Sequence, residues 1–375
     1  MFIFGRSGGG KLFISDEEPN FSAKSKIKDF KVLCIDEKEI ELSEDFLNKL
    51  SKFYIKNNLM ASGNMNRIKP IDILKFTNIG AELVVIQKEK ILGSILSVLF
   101  PIKLVSELEN NNQIKKTYRY TDIVPVIQNK EENVHVFAST TFLNNHKKYR
   151  GKGLGMILIQ RSLQLAHKQG ILGAYFLNTV KRNDNAVKIK NWVFPVNPNN
   201  LDKYQIDYDR RYKSKYTFSF SPDYKIIEVN KVNNNIEEAL EFYLSQVKEK
   251  KACFYPEISF WKKWIVNFNV FLLQCENKNI GIFCTNKLTS FIPSRKCELE
   301  NGYVLFCVGK QPETLKAMLF RCRKDNYDLI MLQEVGDLTY SILKNVFACP
   351  VSADYLNFYN TNLSLQPQDI YFPLL

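Results

Sequence analysis

Histidine is scarce. His135, His146 and His167 are the only three in 375 residues, and none stands at a ligand-like spacing from another. The eight cysteines are scattered without a C-x-x-C pair, so neither a zinc site nor a disulfide framework is expected. They read as reduced, buried thiols of an intracellular protein. Long apolar runs are missing too. The longest, Ile91 to Ile102 between Lys90 and Lys103, falls well short of the ~20 residues that span a bilayer and reads as a buried strand. Met1-Phe2-Ile3-Phe4 is too short for the apolar core of a secretory leader. A cytoplasmic monomer with no integral membrane segment is the expectation. The net charge is +13, yet no long Lys/Arg block and no basic face with interleaved aromatics occurs, which disfavours a nucleic acid partner. An anionic membrane surface or a polyphosphate cofactor could use the same charge.

With 45% hydrophobic and 13% aromatic residues, the chain can bury a sizeable core, as two domains or one large one. Its most informative stretch is Phe142 to Gly155. The apolar run Val134 to Leu143 leads into Asn144-Asn145-His146, and Arg150-Gly151-Lys152-Gly153-Leu154-Gly155 follows. The next residues have helical periodicity, with Met156, Ile159, Leu163 and Ala166 on one face and Gly170 as the stop. Strand, basic Gly-rich turn and helix is the layout that holds a pyrophosphate. Glycines let the backbone approach the anion, and the helix N-terminus points N–H groups at it.

The pattern repeats. Leu83 to Gln87 and Ile91 to Phe100 read as a hairpin, and Val270 to Gln274 with Ile280 to Cys284 reads as a second. Each is a strand, a glutamine, a charged turn, an aliphatic stretch and a glycine. Val304 to Val308, Pro312 to Asp325 and Tyr327 to Gln333 then match the strand, helix and strand around the Gly-rich turn. A polar stretch from Arg210 to Tyr224 suggests halves 1–215 and 216–375. The second copy has Cys307-Val308-Gly309-Lys310-Gln311-Pro312 where the first has its turn, so only the first half should hold the anion.

The turn resembles the coenzyme A loop of the GNAT superfamily, and tandem units with one such loop resemble the eukaryotic N-myristoyltransferases. Thr141-Phe142-Leu143-Asn144-Asn145-His146-Lys147-Lys148-Tyr149-Arg150 is similar to that family's Asn-Phe-Leu-Cys-Val-His-Lys-Lys-Leu-Arg motif. The likeness continues through Ile171 to Trp192, Asn197-Pro198 and Leu201. Lys90-Ile91-Leu92-Gly93, Trp264, Tyr327-Asp328, Phe347 and Phe358-Tyr359-Asn360 also match, as does the apolar ending Tyr371 to Leu375. The resemblance implies an α/β (α+β) fold of two GNAT-like units, related by a pseudo-two-fold axis around a mixed, saddle-shaped sheet. It implies transfer of a long acyl group, myristoyl above all, from acyl-CoA to an N-terminal glycine or lysine amine of a protein or peptide. The cofactor would lie on Phe142, Leu143, Asn144, Asn145 and the turn Arg150, Gly151, Lys152, Gly153, Leu154 and Gly155. The backbone amides of Phe142 and Leu143 would hold the oxyanion, while their side chains can still belong to the core. The α-carboxylate of Leu375 would be the base.

There are departures. The family's Ser-Lys-Arg-Val-Ala is Gly151-Lys152-Gly153-Leu154-Gly155 here, its acceptor-site Tyr-Thr-Ala-Gly is Phe176-Leu177-Asn178-Thr179, and the asparagine before Phe-Leu is Thr141. No acidic run occurs around Asn57-Asn58-Leu59-Met60-Ala61. A small-acyl N-acetyltransferase and a non-catalytic acyl-CoA or peptide-binding protein are the alternatives. Gly5 to Lys11 satisfies G-x-x-x-x-G-K, but Leu12 stands where a P-loop needs Ser or Thr, so ATP binding is not expected.

Overall fold

The computed structural model describes residues 12–13, 15–35, 39–57, 65–105, 133–204, 223–292 and 295–374. The Gly5–Lys11 stretch, most of the 210–224 boundary and Leu375 lie outside them.

The first half runs β1 (Lys31–Cys34), α1 (Glu44–Asn57), β2 (Met65–Arg67), α2 (Pro70–Asn78), β3 (Glu82–Gln87), β4 (Ile91–Leu104), β5 (Val134–Asn145), α3 (Leu154–Lys168), β6 (Gly173–Asn178), β7 (Val187–Pro195) and α4 (Pro198–Lys203). The second runs β8 (Tyr224–Glu228), α5 (Ile236–Val247), β9 (Ala252–Phe254), α6 (Ile258–Asn267), β10 (Asn269–Cys275), β11 (Lys278–Ile292), β12 (Cys297–Gly309), α7 (Glu313–Lys324), β13 (Leu329–Gln333), α8 (Tyr340–Asn345), β14 (Cys349–Tyr359) and β15 (Ile370–Tyr371).

Hydrogen-bonded neighbours run β1-β3-β4-β5-β6-β14-β7-β13-β12-β11-β10-β8. Read inward from either end, the order is the same, and each half lends one strand, β7 or β14, to the other. The small strands obey the same symmetry: β2 pairs with β11, and β9 with β4. Individual hydrogen bonds repeat as well. The His146 amide donates to the Leu92 carbonyl at 2.8 Å, and the Lys310 amide to the Ile280 carbonyl at 2.7 Å. The sheet is mixed, with β5 parallel to β6, β12 parallel to β13 and the short β15 parallel to β9 inside otherwise antiparallel pairing.

Alternation puts α1 and α3 on opposite faces of the first half. Leu83, Val85 and Leu96 pack with Leu47 and Leu50 of α1, whereas Val84, Ile86 and Ile95 pack with Leu154, Leu158 and Leu165 of α3. Ser43 starts α1 by accepting the Phe46 amide at 3.3 Å. The buried face of α3 is turned from the expected one. Leu154, Leu158, Ser162 and Leu165 lie against the sheet with Leu163 and Ala166, and Met156 and Ile159 are half-buried. A hydrogen bond of 2.7 Å between the hydroxyls of Ser97 and Ser162 holds that rotation, and a small polar residue in a helix stripe gives no apolar signal. All eight cysteines are free, six of them buried. Burial raises the Cys307 thiol to about 12.

Candidate active site

The site forms where parallel strands part. β5 and β6 pair only over Phe137–Ser139 and Gly173–Tyr175, and beyond that point they diverge. On its other edge β5 carries a bulge. Ser94 pairs with Asn144 and Leu96 with Thr141, so Phe142 and Leu143 together face Ile95. A one-to-two ladder cannot match the backbone groups of both residues. Phe142 sits at φ +48°, a left-handed conformation that costs a side-chain-bearing residue about 1–2 kcal/mol. Its ring is held by Phe76 at 5.4 Å and Tyr54 at 6.1 Å, while Leu143 is 39% exposed.

The other half shows what this opening is without a cradle. β12 and β13 pair over Asn301–Tyr303 and Leu329–Met331, and β12 bulges at Leu305. No residue there has a positive φ, and Leu305 is only 4% exposed. The C-terminal segment fills this cleft. Ile370, Tyr371, Phe372 and Leu374 are buried in it and leave a cavity of about 30 Å³. The Tyr371 hydroxyl donates to Asp337 at 2.7 Å. The Tyr175 hydroxyl donates to the Pro373 carbonyl at 2.9 Å, which anchors the segment beneath the point where β5 and β6 part. Leu374 is buried there, and Leu375, the residue whose carboxylate the resemblance makes the base, lies outside the described residues.

After the matched hydrogen bonds at His146 and Lys310 the halves differ. α7 begins three residues past Lys310, and α3 begins eight past His146. The extra residues are the basic turn. Gly151 has φ +73° and Gly153 φ +91°, so both use conformations that glycine adopts without strain. A side chain at Gly151 would meet nothing within 4 Å, which leaves its α-carbon open to an approaching ligand. Gly153 is different. A Cβ there would come within 2.2 Å of the Lys24 carbonyl oxygen, because the N-terminal segment crosses the turn. The Lys26 amide donates to the Lys152 carbonyl at 3.0 Å, and the Gln164 side chain donates to the Pro19 carbonyl at 3.0 Å. Gly155 makes room for Asn145, whose amide nitrogen lies 3.0 Å from where a Cβ would stand. Gly93 does the same from the other side, with the Asn145 oxygen at 2.8 Å.

Arg150 is fixed at two points. Its guanidinium donates to the Asn145 carbonyl at 3.4 Å and to the Asn57 carbonyl at the end of α1. The Asn57 side chain accepts the Lys147 amide at 3.0 Å. Asn57 is the residue sequence reasoning missed, since only tertiary structure brings α1 to the turn. Gly93, a glycine inside a strand, was the available hint of close approach. His146 is held below its ordinary pKa by partial desolvation and by Lys90 and Lys148. With Lys147, Lys148, Arg150 and Lys152, plus Lys24 and Lys26, the rim is strongly cationic. Among the residues named for acceptor binding, Phe176, Leu177 and Asn178 line the far strand half-buried, and Thr179 is exposed. No group of His, Cys, Asp and Glu that could hold a metal occurs among the described residues, and none of their helices is long and apolar enough to cross a membrane.

Two interleaved units, one with an open, bulged cleft and a glycine turn beside it, make up the molecule. The chain has the fold of the N-myristoyltransferases. It is similar to the Saccharomyces cerevisiae N-myristoyltransferase solved with bound myristoyl-CoA, with a TM-score of 0.68 at 12% identity over 96% of this chain and 85% of that one. A second structure of the yeast enzyme with myristoyl-CoA gives a TM-score of 0.66 at 14% identity, covering 94% and 87%. No protein-family model matches the sequence, and no curated protein matches it.

Proposed function

We propose that the protein is an N-acyltransferase that moves a long acyl group, myristoyl by resemblance, from acyl-CoA to the N-terminal amine of a protein or peptide. The observation that carries this reading is the strained bulge at Phe142–Leu143 at the mouth of the β5/β6 cleft, with the glycine turn and the α3 N-terminus beside it. The open side of Gly151 and the surrounding cations suit a pyrophosphate. In the reaction the amine nitrogen bonds to the thioester carbonyl carbon, the carbon–sulfur bond breaks, and the thiolate leaves. The Phe142 and Leu143 amides hold the oxyanion that forms between those events. The attacking amine gives its proton to a base, a role the resemblance gives to the α-carboxylate of Leu375.

The glycines at 151, 153 and 155 favour a second reading, transfer of a small acyl group as in GNAT acetyltransferases. Calorimetry with a series of acyl-CoA chain lengths, paired with mass spectrometry of a glycine-initiated peptide, separates them. Each buried methylene contributes ~0.8 kcal/mol, so affinity should rise steeply toward a fourteen-carbon chain. Equal affinity for acetyl-CoA and myristoyl-CoA would move the assignment to an acetyltransferase. Tight binding without peptide acylation would make this an acyl-CoA-binding protein.

A further inference from the structure

We infer that the cleft between α1 and the β3–β4 turn binds an acidic segment of the acceptor protein, a specificity that rests on the acyltransferase reading. The cleft holds about 480 Å³. Lys49, Lys52 and Lys56, spaced along one stripe of α1, face Lys90 of the turn across it. Phe46 and Phe53 form its floor, so an occupant meets apolar surface below and ammonium groups at the rim. Two carboxylates, Asp45 and Glu89, also line it, and Asp45 pairs with Lys49. Lys52, Lys56 and Lys90 have no carboxylate partner among the described residues, which leaves three cations available.

Position supports a peptide rather than the cofactor. The cleft lies on the α1 face of the sheet, and the N-terminus of α3 with its glycine turn lies on the opposite face. The two meet at Asn57 and His146, which wall the end of the cleft; Asn57 holds Arg150, and His146 follows the bulged strand. A chain threaded through the cleft therefore leads toward the open mouth at Leu143. A hollow between a helix and a hairpin turn accepts an extended chain, and a flat lipid surface does not enter it.

The test uses short fluorescein-labelled peptides that begin with glycine and differ only in a following run of glutamates, glutamines or lysines. Anisotropy measures their binding to the full chain loaded with a non-hydrolysable myristoyl-CoA analogue. Three exposed lysine–carboxylate pairs should together give roughly tenfold tighter binding of the glutamate peptide, an advantage that fades at high salt. A Lys52→Gln/Lys56→Gln/Lys90→Gln variant should lose that preference while its melting temperature and its affinity for the analogue stay unchanged. Equal binding of the three peptides overturns the inference. So does an equivalent loss of analogue affinity in the variant, which would give the lysines to the cofactor's phosphates. Loss of binding to phosphatidylserine vesicles without any peptide preference would assign the cleft to a membrane and also overturn it. A glutamate preference without turnover upholds the cleft and removes the acyltransferase reading, whereas turnover without the preference does the reverse.

Discussion

His135 illustrates how single residues here are set by burial. It is half-buried beside Phe13, ring to ring at 5.6 Å, and desolvation lowers its pKa from the ordinary 6.5 to about 4. The unfolded chain takes up a proton near pH 6.5 that the folded chain refuses until about pH 4. Stability from this group is therefore present above pH 6.5 and is lost as the pH falls through that window. At pH 5 the loss should be on the order of 2 kcal/mol. Urea denaturation at pH 7 and pH 5 should show it in the native protein, and the difference should shrink by that amount in His135→Phe. An unchanged pH dependence in the variant would contradict the assignment.

At the level of elements, the glycine turn and α3 behave as one unit with the crossing N-terminal segment. An aspartate at Gly153 would strike the Lys24 carbonyl before it met any phosphate, so that substitution reports packing more than cofactor repulsion. Gly153→Ala should lift the segment around Lys26 off Lys152, seen as faster amide exchange at Lys26. Gly151→Ala, with open space around it, should cost only the roughly 1 kcal/mol of its positive φ and leave that exchange rate alone. Much of this layer was legible in the sequence. The repeated hairpins and the strand–turn–helix around Arg150 follow from local periodicity and turn residues. The extensions Asn286–Ile292 of β11 and Cys297–Tyr303 of β12 were not. They are rich in polar residues, and what makes them strands is pairing with each other and of β11 with β2 of the other half. Phe142 and Leu143 were singled out only through resemblance, and the bulge they form was not foreseen, because a slip in register leaves no mark in hydrophobicity.

Across the whole molecule, comparison of the two pseudo-dyad-related clefts shows one open and one filled. The two units match bond for bond at His146 and Lys310, but the second fills its opening with the chain's own last residues. Deleting Phe372 to Leu375 should uncover Tyr175 and the cleft beside Leu305, costing about 3–5 kcal/mol for two buried apolar side chains. Urea denaturation checks that value. Adding residues after Leu375 should leave acyl-CoA affinity near normal and abolish turnover; native turnover in the extended protein would exclude the C-terminal base. In the proposed reaction, acyl transfer takes place against the bulged amides of the first half. This is tested most directly by replacing Leu143 with its α-hydroxy acid, which exchanges one N–H for an ester oxygen and keeps the side chain. Acylation of a glycine-initiated peptide should slow about 10²-fold or more, with acyl-CoA affinity little changed. Acylation at the native rate in the ester-substituted protein would contradict it.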